Sequence, residues 1–392
     1  MRPTVLMAVV SILVVTLTFG VHLRRVQAGQ EVSGSGYTVL DPIRNGSLTV
    51  FPVVAAKSYS TGQFLTLDEG FRSGEVVVTE YGNVRGLVRG QSGPPVQHDG
   101  AEVNRLVLIN NSKRPLLLLA GEIVAGGKQD RVIGKDRIVP AESDPVDLNV
   151  FCVEPGRWVA SSTNFGASGT TYGSAGKTAV GRSAGTAGGT LMAQPSVRAK
   201  AMADKDQGQV WAEVRKQQES MAVEVEGGST SAAPAAAPPS APLRTTSSYA
   251  VVMENKDVKE KVDAIAKPIE QNYQSLIQQL RDRKAVGVVV AVNGRIIWSD
   301  IFASTELLEK YWPKLVRSYA SEAVVVRAKS TEVSLPQAQA FLADMEGRRQ
   351  TIESEPGVFR QTEVSGDGFK AFALTSLLPK TGFEVHVAKM AD

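Results

Sequence analysis

Strand-length runs rich in β-branched and aliphatic residues recur at 47–56, 75–81, 105–110, 115–120 and 147–153, each broken from the next by Gly, Asn or Asp. Each such run must hand its apolar face to a neighbour before the chain turns, and the punctuated pattern predicts an antiparallel sandwich or barrel between Tyr37 and Trp158.

A different periodicity takes over beyond residue 200. Val210, Val214 and Met221 place an apolar face on a helix over 204–225. Val258, Val262, Ile265, Ile269, Tyr273, Leu276 and Leu280 step by three and four, which predicts an amphipathic helix over 255–283, with Pro268 as a potential kink. Residues 285–292 and 295–302 flank Asn293 and Gly294, the pair that best tolerates the positive φ at both centres of a type I′ hairpin turn. Leu307, Leu308, Tyr311, Trp312, Leu315, Val316 and Tyr319 predict another helix, and Ser334 with Gln337 reads as a capping box opening a helix that stops at Gly347. Runs 358–364, 369–377 and 383–388 read as closing strands, with 365–368 as a hairpin turn. The expected class is α+β, with a β-rich amino half, sandwich or barrel-like, joined to a mixed carboxyl half of helices and antiparallel strands.

Two stretches are too poor in apolar residues to offset their chain entropy. Residues 166–190 contain eight glycines, with Lys177 and Arg182 the sole charges, and read as a mobile loop. Residues 227–248, rich in Ala, Pro and Ser, read as a linker. Both are expected as insertions in one bipartite domain over 37–388.

The amino terminus carries an uncharged stretch at 4–21 between Arg2 and Arg24, and Val26, Gln27 and Ala28 supply a small-residue cleavage signature. Residues 1–28 therefore read as a signal peptide or, if uncleaved, a membrane anchor, so the expected location is secreted, periplasmic or anchored outside the cytoplasm. That segment holds Arg2, Arg24 and Arg25 and no acid; without it the 43 basic residues become 40, against 40 acidic ones. A balanced chain lacks the basic excess of a nucleic-acid binder, so no nucleic-acid partner is expected. With three histidines and one cysteine, neither a His/Cys zinc site nor a disulfide can be built within the chain; a carboxylate metal site stays open, no metal-ligating residue is named, and the sequence identifies no particular cofactor.

Chemistry-bearing residues gather in two places. Residues 121–131 offer Gly126 and Gly127, whose flexible backbone lets amides turn toward a ligand. The same stretch adds Lys128 and Arg131 to neutralise an anion, the amide Gln129, and the acids Glu122 and Asp130. It is not a Walker A loop, since Gln129 follows Lys128 where Ser or Thr is required. In 150–154, alternation puts Val150, Cys152 and Glu154 on one face and Phe151 with Val153 on the other. Cys152 reads as a buried small hydrophobe, because His98 and His386 are the bases left to activate it. Glu154 with Arg157 reads either as a structural ion pair beside the Trp158 ring or as the wall of a pocket whose aromatic face stacks a ligand. Trp211, Trp298 and Trp312 read as core residues.

The string LAGEIVAGGKQDR at 119–131, CVEPGRW at 152–158, LTLDEG at 65–70, QVW at 209–211 and the hairpin at 285–302 together resemble a bacterial family. It is named for its association with ADP-ribosylglycohydrolases and rhodanese-like phosphatases. The resemblance spans most of 37–388. It brings no established activity, and the name implies a nucleotide-like ligand. The leader and the two low-complexity insertions depart from the family's cytoplasmic context.

The leading expectation is an exported protein that binds an anionic, nucleotide-like (ADP-ribose-related) ligand through Glu122, Gly126, Gly127, Lys128, Gln129, Asp130, Arg131, Glu154, Arg157 and Trp158, covered by the 166–190 loop. Two alternatives remain: a non-catalytic structural or interaction module of the cell envelope, and a hydrolase using Glu122, Asp130 and Glu154.

Overall fold

The computed structural model of the protein describes residues 36–83, 104–158, 161–162, 164–167, 190–227, 240–280, 284–326 and 332–392. The expected leader at 1–28, His98 and most of the 166–190 loop lie outside the described residues, as does 228–239 of the expected linker.

The first strands are β1 (Tyr37–Val39), β2 (Ile43–Asn45) and β3 (Leu48–Ala55). Next come β4 (Leu65–Thr66), helix α1 (Leu67–Ser73), β5 (Val76–Glu80), β6 (Arg105–Asn110) and β7 (Leu116–Leu118). They are followed by β8 (Glu122–Gly126), β9 (Arg131–Ile133), β10 (Arg137–Val139), β11 (Val146–Cys152), β12 (Asn164–Gly166) and β13 (Leu191–Met192). The strands run β12-β5-β6-β11-β9-β8, and β12 also pairs with β8, so the path returns on itself as a small barrel. Its interior is filled by Val78, Leu106, Leu108, Val124, Ile133, Leu148, Val150 and Phe165.

Helices α2 (Pro195–Ala199), α3 (Gln207–Gly227), α4 (Ala241–Thr245), α5 (Tyr249–Glu254) and α6 (Lys256–Gln279) follow, with a π-helical turn at Lys200–Asp204 after α2. The chain closes with β14 (Lys284–Val292), β15 (Arg295–Phe302), α7 (Thr305–Val324), α8 (Leu335–Ala343), β16 (Arg348–Glu355), β17 (Phe359–Gly366), β18 (Phe369–Ser376) and β19 (Glu384–Ala391). Strands β14 to β19 form an antiparallel sheet in the order β1-β3-β14-β15-β19-β18-β17-β16, with β2 also on β3. Residues of β14 alternate between two cores: Val288 and Val290 face α6 and α7, while Val289 and Ala291 face α8. Cover on both faces explains why β14 is buried along all but its first residue. Asn293 and Gly294 turn the hairpin at φ 54° and 75°, as type I′ geometry requires.

The α+β reading holds, with corrections. The 47–56 run does become a strand, but β3 belongs to the carboxyl sheet rather than the barrel, because it pairs with β14 along its whole length. The linker reading fails for 240–248. Leu243 is buried, Ser240 hydrogen-bonds Glu226, and Ser248 caps α5 by accepting from Val251 N. The helix opened by Ser334 stops at Ala343, short of Gly347, because the Lys389 ammonium takes the Phe341 and Asp344 carbonyls at its end. Gly347 serves packing instead, since a Cβ there would lie 2.4 Å from the Ser365 carbonyl oxygen.

Candidate ligand-binding site

The β8–β9 hairpin presents Gly126, Gly127, Lys128 and Gln129 in its turn, with φ of 128° at Gly126 and 50° at Gly127. Space demands glycine as much as conformation does: a Cβ at Gly127 would lie 2.2 Å from the Phe165 ring, and one at Gly126 2.6 Å from Ser162 Oγ. The expectation that these amides face a ligand is corrected. Gly126 N donates to Asp130 Oδ1 (3.0 Å), Gly127 N to Ser162 Oγ (3.0 Å) and Lys128 N to Glu80 Oε1 (2.8 Å). In a water-poor turn an unpaired amide is costly, and the protein satisfies its own.

Behind the turn, Glu154 accepts from Asp130 N (3.0 Å) and from Arg157 Nε (2.7 Å). Arg157 also donates to the Gly127 carbonyl (2.8 Å) and lies 3.5 Å from Asp130 Oδ1. Asp130 Oδ2 accepts from Ser248 Oγ (2.8 Å), which ties the hairpin to α5, and Gln129 Nε2 donates to the Glu154 carbonyl (3.2 Å). Burial, then the Glu154 charge, holds the Asp130 carboxyl above its ordinary range. The Glu154–Arg157 ion pair foreseen in the sequence is therefore present, and it clamps the turn.

The expected cation pair of Lys128 and Arg131 is split. Arg131 is 0% exposed and lies opposite Cys152, with Nε and Nη2 finding no hydrogen-bond partner among the described residues. Burial pushes the Cys152 thiol up, so this face is a protonated thiol against an inward guanidinium. Strand alternation sends the side chain inward, out of reach of a ligand on the turn. Lys128 stays on the surface side, with its ammonium 5.1 Å from the centre of the Trp158 ring, and Trp158 is 43% exposed. Trp298 and Trp312 are core residues as expected, whereas Trp211 is half-buried.

Glu122 belongs to another group altogether. Its carboxylate meets Lys314 Nζ at 2.5 Å, and the same ammonium meets Asp68 Oδ2 at 2.7 Å and Thr190 Oγ1 at 3.0 Å. Burial raises the Glu122 carboxyl. At Asp68 burial acts the same way but is outweighed by Lys314 and Thr190, leaving that carboxyl below its ordinary range. The three acids of the hydrolase reading are thus not one set: Asp130 and Glu154 share the turn cluster while Glu122 faces Lys314.

A further polar group escaped sequence reasoning. Arg198 binds Asp300 with two hydrogen bonds of 2.9 Å, and Tyr319 donates to the same carboxylate. His386 lies between Asp136 Oδ2 (2.6 Å) and Asp300 Oδ1 (3.2 Å), and Asp136 also accepts from Ala120 N (2.7 Å). All five side chains are buried. The available signal was a single charge inside an apolar run, Asp300 in IIWSDIF and His386 in VHVA, and no local spacing joins the two.

Among the described residues no group of three or more His, Cys, Asp or Glu is placed to hold a metal ion, and no helix is long and apolar enough to cross a membrane. Residues 36–389 match a family described as ARG and Rhodanese-Phosphatase-superfamily-associated Protein domain. No curated protein and no solved structure matches the chain.

Proposed function

The chain belongs to the ARG and rhodanese-phosphatase-superfamily-associated protein domain family, and from that premise we propose that it binds an anionic, nucleotide-like ligand at the corner formed by Lys128 and Trp158. The observation that carries this reading is the exposed Trp158 indole with the Lys128 ammonium 5.1 Å from its centre. Most of the surrounding polar groups are buried and engaged with one another, so this corner is where charge and a flat apolar face remain open together. An aromatic face stacks a base for about 1–3 kcal/mol, and an adjacent ammonium neutralises a phosphate. The Arg157 clamp and the two glycines hold the turn rigid, so little ordering is lost on binding.

The test is a thermal-shift screen with nucleotides and ADP-ribose on the protein and on Trp158→Ala and Lys128→Ala. Ligand at a hundred times its Kd stabilises by about 2.7 kcal/mol. A shift that disappears in both variants is the expected result. An undiminished shift in both overturns the assignment.

The same proposal sets this binding outside the cytoplasm, on the strength of the apolar run at 4–21 and the small-residue ending at 26–28. Cell fractionation checks it: recovery of the protein from the cytoplasm contradicts export.

A further inference from the structure

Pro155 and Gly156 form one wall of a groove of about 560 Å3 whose other walls come from α3 and α4. Gly156 takes φ 97°, and its α-carbon faces Ser247, whose hydroxyl would stand 4.0 Å from an added Cβ. The volume falls in the range of small-molecule sites, about 300–1,000 Å3.

Two of the groove's donors are unspent. Gln218 is 8% exposed and lines the groove, and its Nε2, itself closed to solvent, has no hydrogen-bond partner among the described residues. Arg215, one turn earlier on α3, is exposed and has no ion-pair partner among the described residues. The neighbouring acid is already committed, because Arg244 holds Glu219 and also Glu226 at 3.1 Å. An amide donor buried without an acceptor is costly, and an acceptor that reaches it recovers that cost. A planar guanidinium beside it selects oxygen anions in particular.

We propose that this groove is a binding site for a small molecule bearing an oxyanion, phosphoryl or carboxyl, held by Arg215 and Gln218. The site does not use Lys128 or Trp158 and stands whether or not the corner binds its ligand.

Calorimetric titration of the full chain with inorganic pyrophosphate, and separately with succinate, tests it and distinguishes the two oxyanion classes. Binding of one of these probes is expected. Arg215→Ala and Gln218→Met, the latter keeping length and volume, should each weaken it about tenfold, while Lys128→Ala and Trp158→Ala leave it unchanged. Thermal melts confirm that the variants fold, and the exposed position of Arg215 makes its variant the safer of the two. Absence of binding by both probes, or binding that neither groove variant weakens, overturns the proposal.

Discussion

His386 has a carboxylate against each ring nitrogen, Asp136 on one side and Asp300 on the other, in a place without solvent. Burial alone would favour the neutral ring, but the two acids prevail and raise it from 6.5 to about 9. Because the folded value lies above the unfolded one, the stabilisation is complete below pH 6.5 and is lost as pH rises through about 9. A shift of this size is worth about 3 kcal/mol. Lys389, held by burial down to about 8, acts in the opposite sense in the more alkaline range. The test therefore compares variant with wild type at each pH: the stability gap between wild type and His386→Gln should shrink from pH 6 to pH 9, and a constant gap contradicts the charged histidine. The same residue shows why parts of the site were illegible in the sequence. Glu154 and Arg157 lie three apart and were readable as a pair, whereas His386 meets Asp136 across 250 residues. At Arg131 composition shows a cation in a glycine-rich turn, but not the face to which its strand directs it.

At the scale of elements, legibility followed local chemistry. The Asn293–Gly294 turn and the Ser334 capping box each require particular residues at fixed offsets, and both are found. Strand β16 was missed because RRQTIESE has no apolar alternation. It is a polar edge strand held by β17, and its Glu353 and Glu355 reach Lys135 and Arg137 beside the barrel. Edge strands of this kind carry charge to discourage pairing with other chains. The opposite edge is protected by α8, where Gln339 accepts from Val39 N (2.8 Å) and donates to the Tyr37 carbonyl (3.2 Å), standing in for a missing strand. Ser334→Ala removes the cap that opens α8 and should cost about 1 kcal/mol. Amide exchange would show the loss as faster opening of α8 and β1 ahead of the barrel strands; uniform protection across all of them would contradict this coupling.

For the whole molecule, the decisive feature is that the first strands and the last share one sheet, with the barrel and helices threaded between them. No sequence pattern announces such a return, because the pairing of β3 with β14 spans more than two hundred residues of chain. The buried ion network reinforces the closure: Asp136 comes from the β9–β10 connection, Arg198 from α2, and Asp300 and His386 from the carboxyl sheet. We expect one cooperative unfolding transition, and expect proteolysis within 228–239 to leave the two pieces associated. Fragments that separate and melt independently would contradict a single folding unit. Trp158 itself can report on binding at the ligand corner. Titration of the protein with ADP-ribose, followed by tryptophan emission, should quench saturably in the wild type and lose that quench in Trp158→Phe; no saturable change in the wild type, or the same quench in the variant, would contradict the account.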